Sequence, residues 1–167
     1  MILYLLRHGI AAEAPSAGTC GDQGWPLSDE GVKQLTAAVA TYRKLMLPPD
    51  RVLCSPLLRA CQTAEILREA LGSDIEIEKT PALHHSIAPT KILEQLQGDL
   101  LENVGAIALV GHEPHLGNLL GLLLSSSPRL SMPLTTGMMA AVEILGSHAM
   151  VGRLLFCLSQ REARKLS

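Results

Sequence analysis

The sequence predicts an α/β protein, a three-layer α/β/α sandwich around a mostly parallel central sheet that closes with an antiparallel C-terminal strand. Strand-like and helix-like segments alternate from residue 2 to about residue 124, the pattern of parallel strands joined by crossover helices. Two strand segments, Ile2 to Leu6 and Ala106 to Val110, are continuously apolar rather than alternating, as in strands covered on both faces. The last two, Met138 to Leu145 and Met150 to Leu158, are separated only by a short connection through Gly146-Ser147-His148, which reads as a hairpin.

The first strand, Ile2 to Leu6, gives way to a breaker-rich loop between Ile10 and Pro26, where Pro15, Ser16, Gly18, Gly21 and Gly24 leave no periodicity. A helix follows: Ser28 is placed to cap it, Asp29 and Glu30 suit the positive end of its dipole, and Leu27 with Val32 has hydrophobic-staple spacing. Val32, Leu35, Val39, Tyr42 and Met46 form its apolar face until Pro48-Pro49 stops it. Arg51 to Cys54 is a short strand. Ser55 as cap with Pro56 at the first helical position then opens a helix over Leu57 to Leu71, ended by Gly72.

Ile75 to Lys79 alternates apolar and charged residues, so it is a strand with one wet face near a sheet edge. Pro89 to Leu101 reads as a helix, Ala106 to Val110 as the second buried strand, and Pro114 to Leu124 as an apolar helix. Neither a repeat nor a low-complexity tract is present.

Length and composition suit one domain spanning residues 1–167: 167 residues, 47% of them hydrophobic, allow a single sizeable core, which must be aliphatic because Trp, Tyr and Phe together number only four. A net charge of -2 with cations scattered among acids offers no field for a nucleic acid backbone. The longest late apolar run, Leu116 to Leu124, is broken by Gly117, Asn118 and Gly121 and falls short of the roughly 18 residues of a membrane span. The start of the chain lacks a basic region ahead of its apolar run, and Cys20, Cys54, Cys61 and Cys157 show neither CxxC spacing nor disulfide density. A soluble cytoplasmic protein with reduced thiols is therefore expected, with neither nucleic acid nor membrane as partner.

Ligands of open α/β sheets bind beyond the carboxyl ends of the strands. Three predicted strand ends carry chemistry there: Arg7-His8-Gly9 after the first, Ser55-Pro56 leading to Arg59 in the first helical turn after the second, and Gly111-His112-Glu113 after the later buried one. Singly, Arg7 and Arg59 read as residues paired with acids such as Glu65, and His8 and His112 as core histidines. Side by side they form a cationic cluster at a helix amino terminus, matched to a phosphoryl group that guanidinium forks and backbone N–H groups can hold. His112 and His115 have i,i+3 spacing, but Pro114 between them and the lack of a matching ligand set argue against a metal, and no cofactor is expected.

These segments resemble the histidine phosphatase superfamily, which includes the phosphoglycerate mutases. Leu6-Arg7-His8-Gly9 is similar to its signature, Trp25 to Gly31 to its "PLT..G" segment, Ser55 to Ala64 to its "SP..RA.QTA" helix, and Val110 to Pro114 to its second-histidine segment, all in family order. Small size and the "GHEPHLG" wording of Gly111 to Gly117 look most like the SixA-type phosphohistidine phosphatases.

The resemblance implies a phosphoglycerate mutase-like fold, His8 as nucleophile through a phosphohistidine intermediate, and Arg7, Arg59 and a protonated His112 gripping the equatorial oxygens, with Gly9 beneath the imidazole in the substrate site. A backbone carbonyl is expected to set the tautomer of His8, and its cationic surroundings to keep the attacking nitrogen free. His112 needs an anion beside it to stay charged.

Superfamily members often carry an acid shortly after the third strand, whereas Pro81 to Ala88 here holds no carboxylate. That departure suits a phosphoramidate over an alkyl ester. His84, His85, Glu113 and Glu13 are the alternative proton donors, with surface duty the ordinary reading of the two histidines. The expected substrate is phosphohistidine in a protein such as a histidine phosphotransfer domain of a signalling relay, with inorganic phosphate as product. A small-molecule phosphomonoesterase or mutase and a non-enzymatic phosphate-binding module are the alternatives. Thr135 and Thr136, at the opening of the last strand pair, stand within possible reach of the pocket, a placement that turn duties explain equally well.

Overall fold

The computed structural model describes residues 1–13, 24–72, 74–101, 104–125, 130–146 and 150–167. Among them six strands form one sheet: β1 (Ile2–Arg7), β2 (Arg51–Cys54), β3 (Glu76–Lys79), β4 (Ala106–Gly111), β5 (Met139–Ile144) and β6 (Gly152–Leu158). Their order is β3-β2-β4-β1-β5-β6. The pairs β3–β2, β2–β4 and β4–β1 are parallel, and β5 runs antiparallel to both β1 and β6. Only β5 therefore opposes the common direction. As the alternating pattern of β3 requires, that strand lies at an edge.

The helices are α1 (Asp29–Leu45), α2 (Leu58–Leu71), α3 (Thr90–Leu101), α4 (His115–Ser125) and α5 (Gln160–Lys165), with a 3-10 turn at Pro81–Leu83. Strand pleating sorts the apolar residues onto two faces. Tyr4 and Leu6 of β1 join α1, α2 and Ala163 of α5 in one cluster, while Leu3 and Leu5 join Ile92 and Leu96 of α3 and the leucines of α4 in the other. A strand with a core on each side has no wet face, which is why β1 and β4 read as continuous apolar runs. The short helix α5, which is not among the elements expected from the sequence although Gln160 to Lys165 are all good helix formers, is held by the Ser159 cap and by Thr41, whose hydroxyl donates to the Ala163 carbonyl at 2.7 Å.

Two local expectations need correction. Val32 does not belong to the buried face of α1: it is 39% exposed, and the buried positions are Gly31, Leu35, Ala38, Val39, Thr41 and Tyr42, while the Ser28 cap is formed, accepting from Gly31 N at 3.0 Å. Ser55 does not cap α2 either. Leu57, fully packed in the core in an extended conformation, is the residue ahead of the helix, so Pro56 precedes the first turn and the Ser55 hydroxyl only receives the Leu57 N–H at 3.4 Å. Arg59 nonetheless lies in the first turn, as expected.

Cys20, most of the Ile10–Pro26 loop and Ser147 and His148 of the last connection lie outside the described residues. The ends of that loop are pinned to each other: Ala12 N donates to the Pro26 carbonyl and Ser28 N to the Ile10 carbonyl, both at 2.9 Å. Cys54 is buried and burial pushes its thiol up to about 12, so it is a packed, protonated group at neutral pH.

Candidate active site

Strand register assembles the site. Arg7 is level with Gly111, and Cys54 with Val110, so β2, β4 and β1 end at one edge. The chain leaves each end under backbone control: His8 N donates to the Gly111 carbonyl at 3.0 Å and Ser55 N to the Val110 carbonyl at 2.9 Å. The parallel strand β3 ends at the same edge, where Thr80 N donates to the Cys54 carbonyl at 2.9 Å, and the 3-10 turn then delivers His84 and His85. Four carboxyl ends thus converge, the placement expected of an open α/β sheet.

The result is a cleft of about 350 Å³ lined by Arg7, His8, Ala11, Trp25, Arg59, His85, His112 and Glu113. His8 Nδ1 is 2.7 Å from the carbonyl oxygen of its neighbour Gly9. A carbonyl can only accept, so the proton sits on Nδ1 and the lone pair on Nε2. Gly9 in turn donates its N–H to the Thr63 hydroxyl at 3.1 Å, and that hydroxyl donates to the Arg59 carbonyl at 2.7 Å, linking the turn after β1 to the helix that carries the second guanidinium.

The rings of His8 and His112 are 4.9 Å apart and tilted by 51°. His112 is 2% exposed with no partner for either ring nitrogen among the described residues, and Arg7 Nε is likewise buried and unpaired. Burial, followed by the nearby His8, Arg59, His85 and His84, pushes His112 down to about 2, so the imidazole is neutral until an anion offsets those causes. Arg7 is aimed by its Nη1, which donates to the Leu134 carbonyl at 2.7 Å. Glu65 pairs with Arg68 at 2.5 Å.

Glu113 lines the cleft, but its Oε1 accepts from Leu134 N at 3.1 Å. Burial raises its carboxyl, while the N–H groups of Leu134 and Gly117 and the Arg7 charge oppose that rise. A Cβ on Gly117 would stand 2.7 Å from Glu113 Oε2, so glycine is needed there for this carboxylate to fold over the start of α4. Glu13 is exposed and is not among the lining residues. Thr135 is likewise exposed and outside the lining; its backbone and hydroxyl turn to Met138 Sδ, a turn duty.

Sequence reasoning missed Trp25, Ala11 and Thr63 as members of the site, although Trp25 and Thr63 stand inside segments singled out for their wording. The positional signal was available for Trp25, since the loop that returns from the first strand must re-enter over its end. Among the described residues no group of three or more His, Cys, Asp or Glu is arranged to hold a metal ion, and no helix is long and apolar enough to cross a membrane.

Comparison with known proteins places this geometry in context. Residues 3–85 match the Histidine phosphatase superfamily (branch 1). The chain is 36% identical over 121 residues to an uncharacterized protein of Picosynechococcus, covering 70% of this chain and 69% of that one. It is 28% identical over 123 residues to the phosphohistidine phosphatase SixA of Escherichia coli, covering 74% of each. The structure of the protein histidine phosphatase SixA complexed with tungstate superposes with a TM-score of 0.86 at 25% identity, covering all of both chains. With its SixA-like fold and its strand ends meeting around two arginines and two histidines, the chain belongs to the histidine phosphatase superfamily.

Proposed function

We propose that this chain is a metal-independent phosphatase that works through phospho-His8 and removes phosphate from phosphohistidine in a protein, most simply a histidine phosphotransfer domain of a signalling relay. Superfamily membership and the similarity to SixA support phosphatase action on a phosphorylated substrate with inorganic phosphate as product. The observation that carries the reading is the His8 imidazole, its tautomer set by Gly9 so that Nε2 faces a cleft built from Arg7, Arg59 and His112. A cytoplasmic location goes with the relay substrate.

In the first step the Nε2 lone pair attacks phosphorus, the bond from phosphorus to the substrate nitrogen breaks, and its electron pair leaves with the substrate imidazole. Arg7, Arg59 and His112 hold the three equatorial oxygens, where charge spreads in a loose transition state. The dianion supplies what His112 lacks, an opposite charge that favours its protonated form. The Nδ1–H to Gly9 bond strengthens as His8 becomes cationic on phosphorylation. Water then attacks phospho-His8, the P–N bond breaks toward Nε2, and phosphate leaves with His8 restored.

The test is phosphate release from a phosphorylated histidine phosphotransfer domain beside a panel of phosphate esters. Acid-labile phosphate on the wild-type protein and none on His8→Ala supports the reading. A His8→Ala protein that still turns over substrate overturns it. A small-molecule phosphomonoesterase is the second reading, favoured by one observation: an imidazole from the segment after β3 reaches the cleft.

A further inference from the structure

The loop after β3 carries no carboxylate, yet it does not leave the cleft without a proton donor. His85 lines the cleft together with His8, Arg59 and His112, and its ring stands edge-on to that of His112 at 5.9 Å. It is held from behind. The His84 ring stacks on it at 4.3 Å and 28°, and His84 itself is fixed by Ser86, whose hydroxyl lies 2.7 Å and whose backbone N–H lies 3.2 Å from His84 Nδ1. Since the N–H can only donate, Nδ1 accepts and the His84 proton is on Nε2.

The other donors that the sequence offered are less suited. Glu113 Oε1 is taken up in accepting from Leu134 N, and Glu13 is outside the cleft lining. His112 is buried among cations as an oxygen ligand. His85 combines a position in the cleft with exposure to solvent, the setting in which an imidazole can give up and regain a proton within one turnover.

We propose that His85 is the catalytic proton donor to the leaving group, with His84 as its positioning residue, and that the chain therefore cleaves alkyl phosphate monoesters as well as phosphoramidates. The proposal rests on the reading of His8 as nucleophile. As Nε2 of His8 bonds to phosphorus and the ester P–O bond breaks, the leaving oxygen takes the proton of protonated His85 and departs as an alcohol. Neutral His85 then accepts a proton from the water that attacks phospho-His8, which returns it to its starting state and releases phosphate.

The experiment compares three substrates that differ in what the leaving group needs: phosphoserine, whose alkoxide needs a proton; p-nitrophenyl phosphate, whose phenolate does not; and phosphoramidate as phosphoryl donor to His8. His85→Ala and His85→Gln should lower phosphoserine turnover about 10²- to 10⁴-fold while p-nitrophenyl phosphate falls by less than about tenfold. His85→Glu, which restores a group able to carry the proton, should recover much of the loss, and His84→Ala should show the same split more weakly. Equal losses on all substrates, or a wild-type protein that forms phospho-His8 from phosphoramidate yet leaves phosphoserine intact, would overturn the proposal. Failure of the wild type to form phospho-His8 from any donor defeats the functional reading itself and the proposal with it.

Discussion

The Thr63 hydroxyl accepts from the Gly9 N–H at 3.1 Å and donates to the Arg59 carbonyl at 2.7 Å, so one side chain of α2 ties the turn that carries the proposed nucleophile to the helix that carries a proposed oxygen ligand. Thr63 is fully buried, and its hydroxyl is the acceptor for the buried Gly9 N–H. Thr63→Val keeps the shape and removes the oxygen. Leaving a buried N–H without a partner costs about 1–3 kcal/mol. The variant should unfold earlier in denaturant titration, and kcat should drop about tenfold or more, because the Gly9 carbonyl that orients His8 is no longer held. Unchanged kinetics would show that the turn after β1 holds itself.

Arg7→Lys tests the fork. Arg7 spends Nη1 on the Leu134 carbonyl while its guanidinium also lines the cleft, two tasks that a compact ammonium cannot perform at once. Loss of one preorganised donor to transition-state charge costs about 10²- to 10³-fold in kcat. Steady-state kinetics on p-nitrophenyl phosphate should show that loss mainly in kcat, with a smaller rise in the inhibition constant for phosphate. A change confined to KM would mean that Arg7 serves ground-state binding alone.

Behind the site, Gly137 donates its N–H to the carbonyls of both Arg7 and His8, at 3.2 and 3.0 Å, from a positive φ of 66°. Its carbonyl accepts the Tyr42 hydroxyl at 2.7 Å. A Cβ there would lie 2.6 Å from the Gln160 side chain. Gly137→Ala thus adds a left-handed backbone penalty and a clash, and Tyr42→Phe strands a buried carbonyl; each should cost about 1–3 kcal/mol. For a domain of this size that is about 2–4 °C in Tm per kcal/mol, readable by calorimetry. Equal Tm values for wild type and both variants would show that this brace contributes nothing.

The sheet was legible because its signals are strong and local. Continuous apolar runs marked β1 and β4, alternation marked β3, and the residues immediately after each run marked the edge at which Arg7, His8 and His112 meet. What escaped depends on tertiary context. Val32 satisfies the helical period but lies beside the buried face of α1, which runs through Gly31, Leu35, Ala38, Val39 and Tyr42; Leu57 delays α2 because its side chain is packed in the core. His85 reads as a surface histidine, and it is exposed, but the parallel direction of β3 aims its following turn at the same edge as the other three strand ends. Thr63 reads as one more small residue of a helix until the depth of its contact with Gly9 is seen.

The last prediction concerns protons. His112, pushed down to about 2, and His115, lowered chiefly by burial, are neutral in the folded protein near neutral pH, whereas an unfolded histidine titrates near 6.5. Below that value the unfolded chain binds more protons than the folded one, so stability rises with pH there. The contribution of these imidazoles is complete above about pH 6.5 and is lost as pH falls below it, with a slope approaching about 1.4 kcal/mol per pH unit for His112. Sulfate, a tetrahedral dianion whose own charge is constant over this range, should raise His112 by supplying the missing opposite charge. Its binding near pH 7 should therefore be accompanied by proton uptake, measurable by titration calorimetry in buffers of different ionisation enthalpy. Sulfate should also flatten the acid limb of a Tm-against-pH curve. In His112→Asn, which retains an N–H donor but cannot titrate, the uptake should disappear and the limb should lose the slope of one group. Sulfate binding to the wild type with no proton taken up would show that His112 holds the oxyanion as a neutral donor.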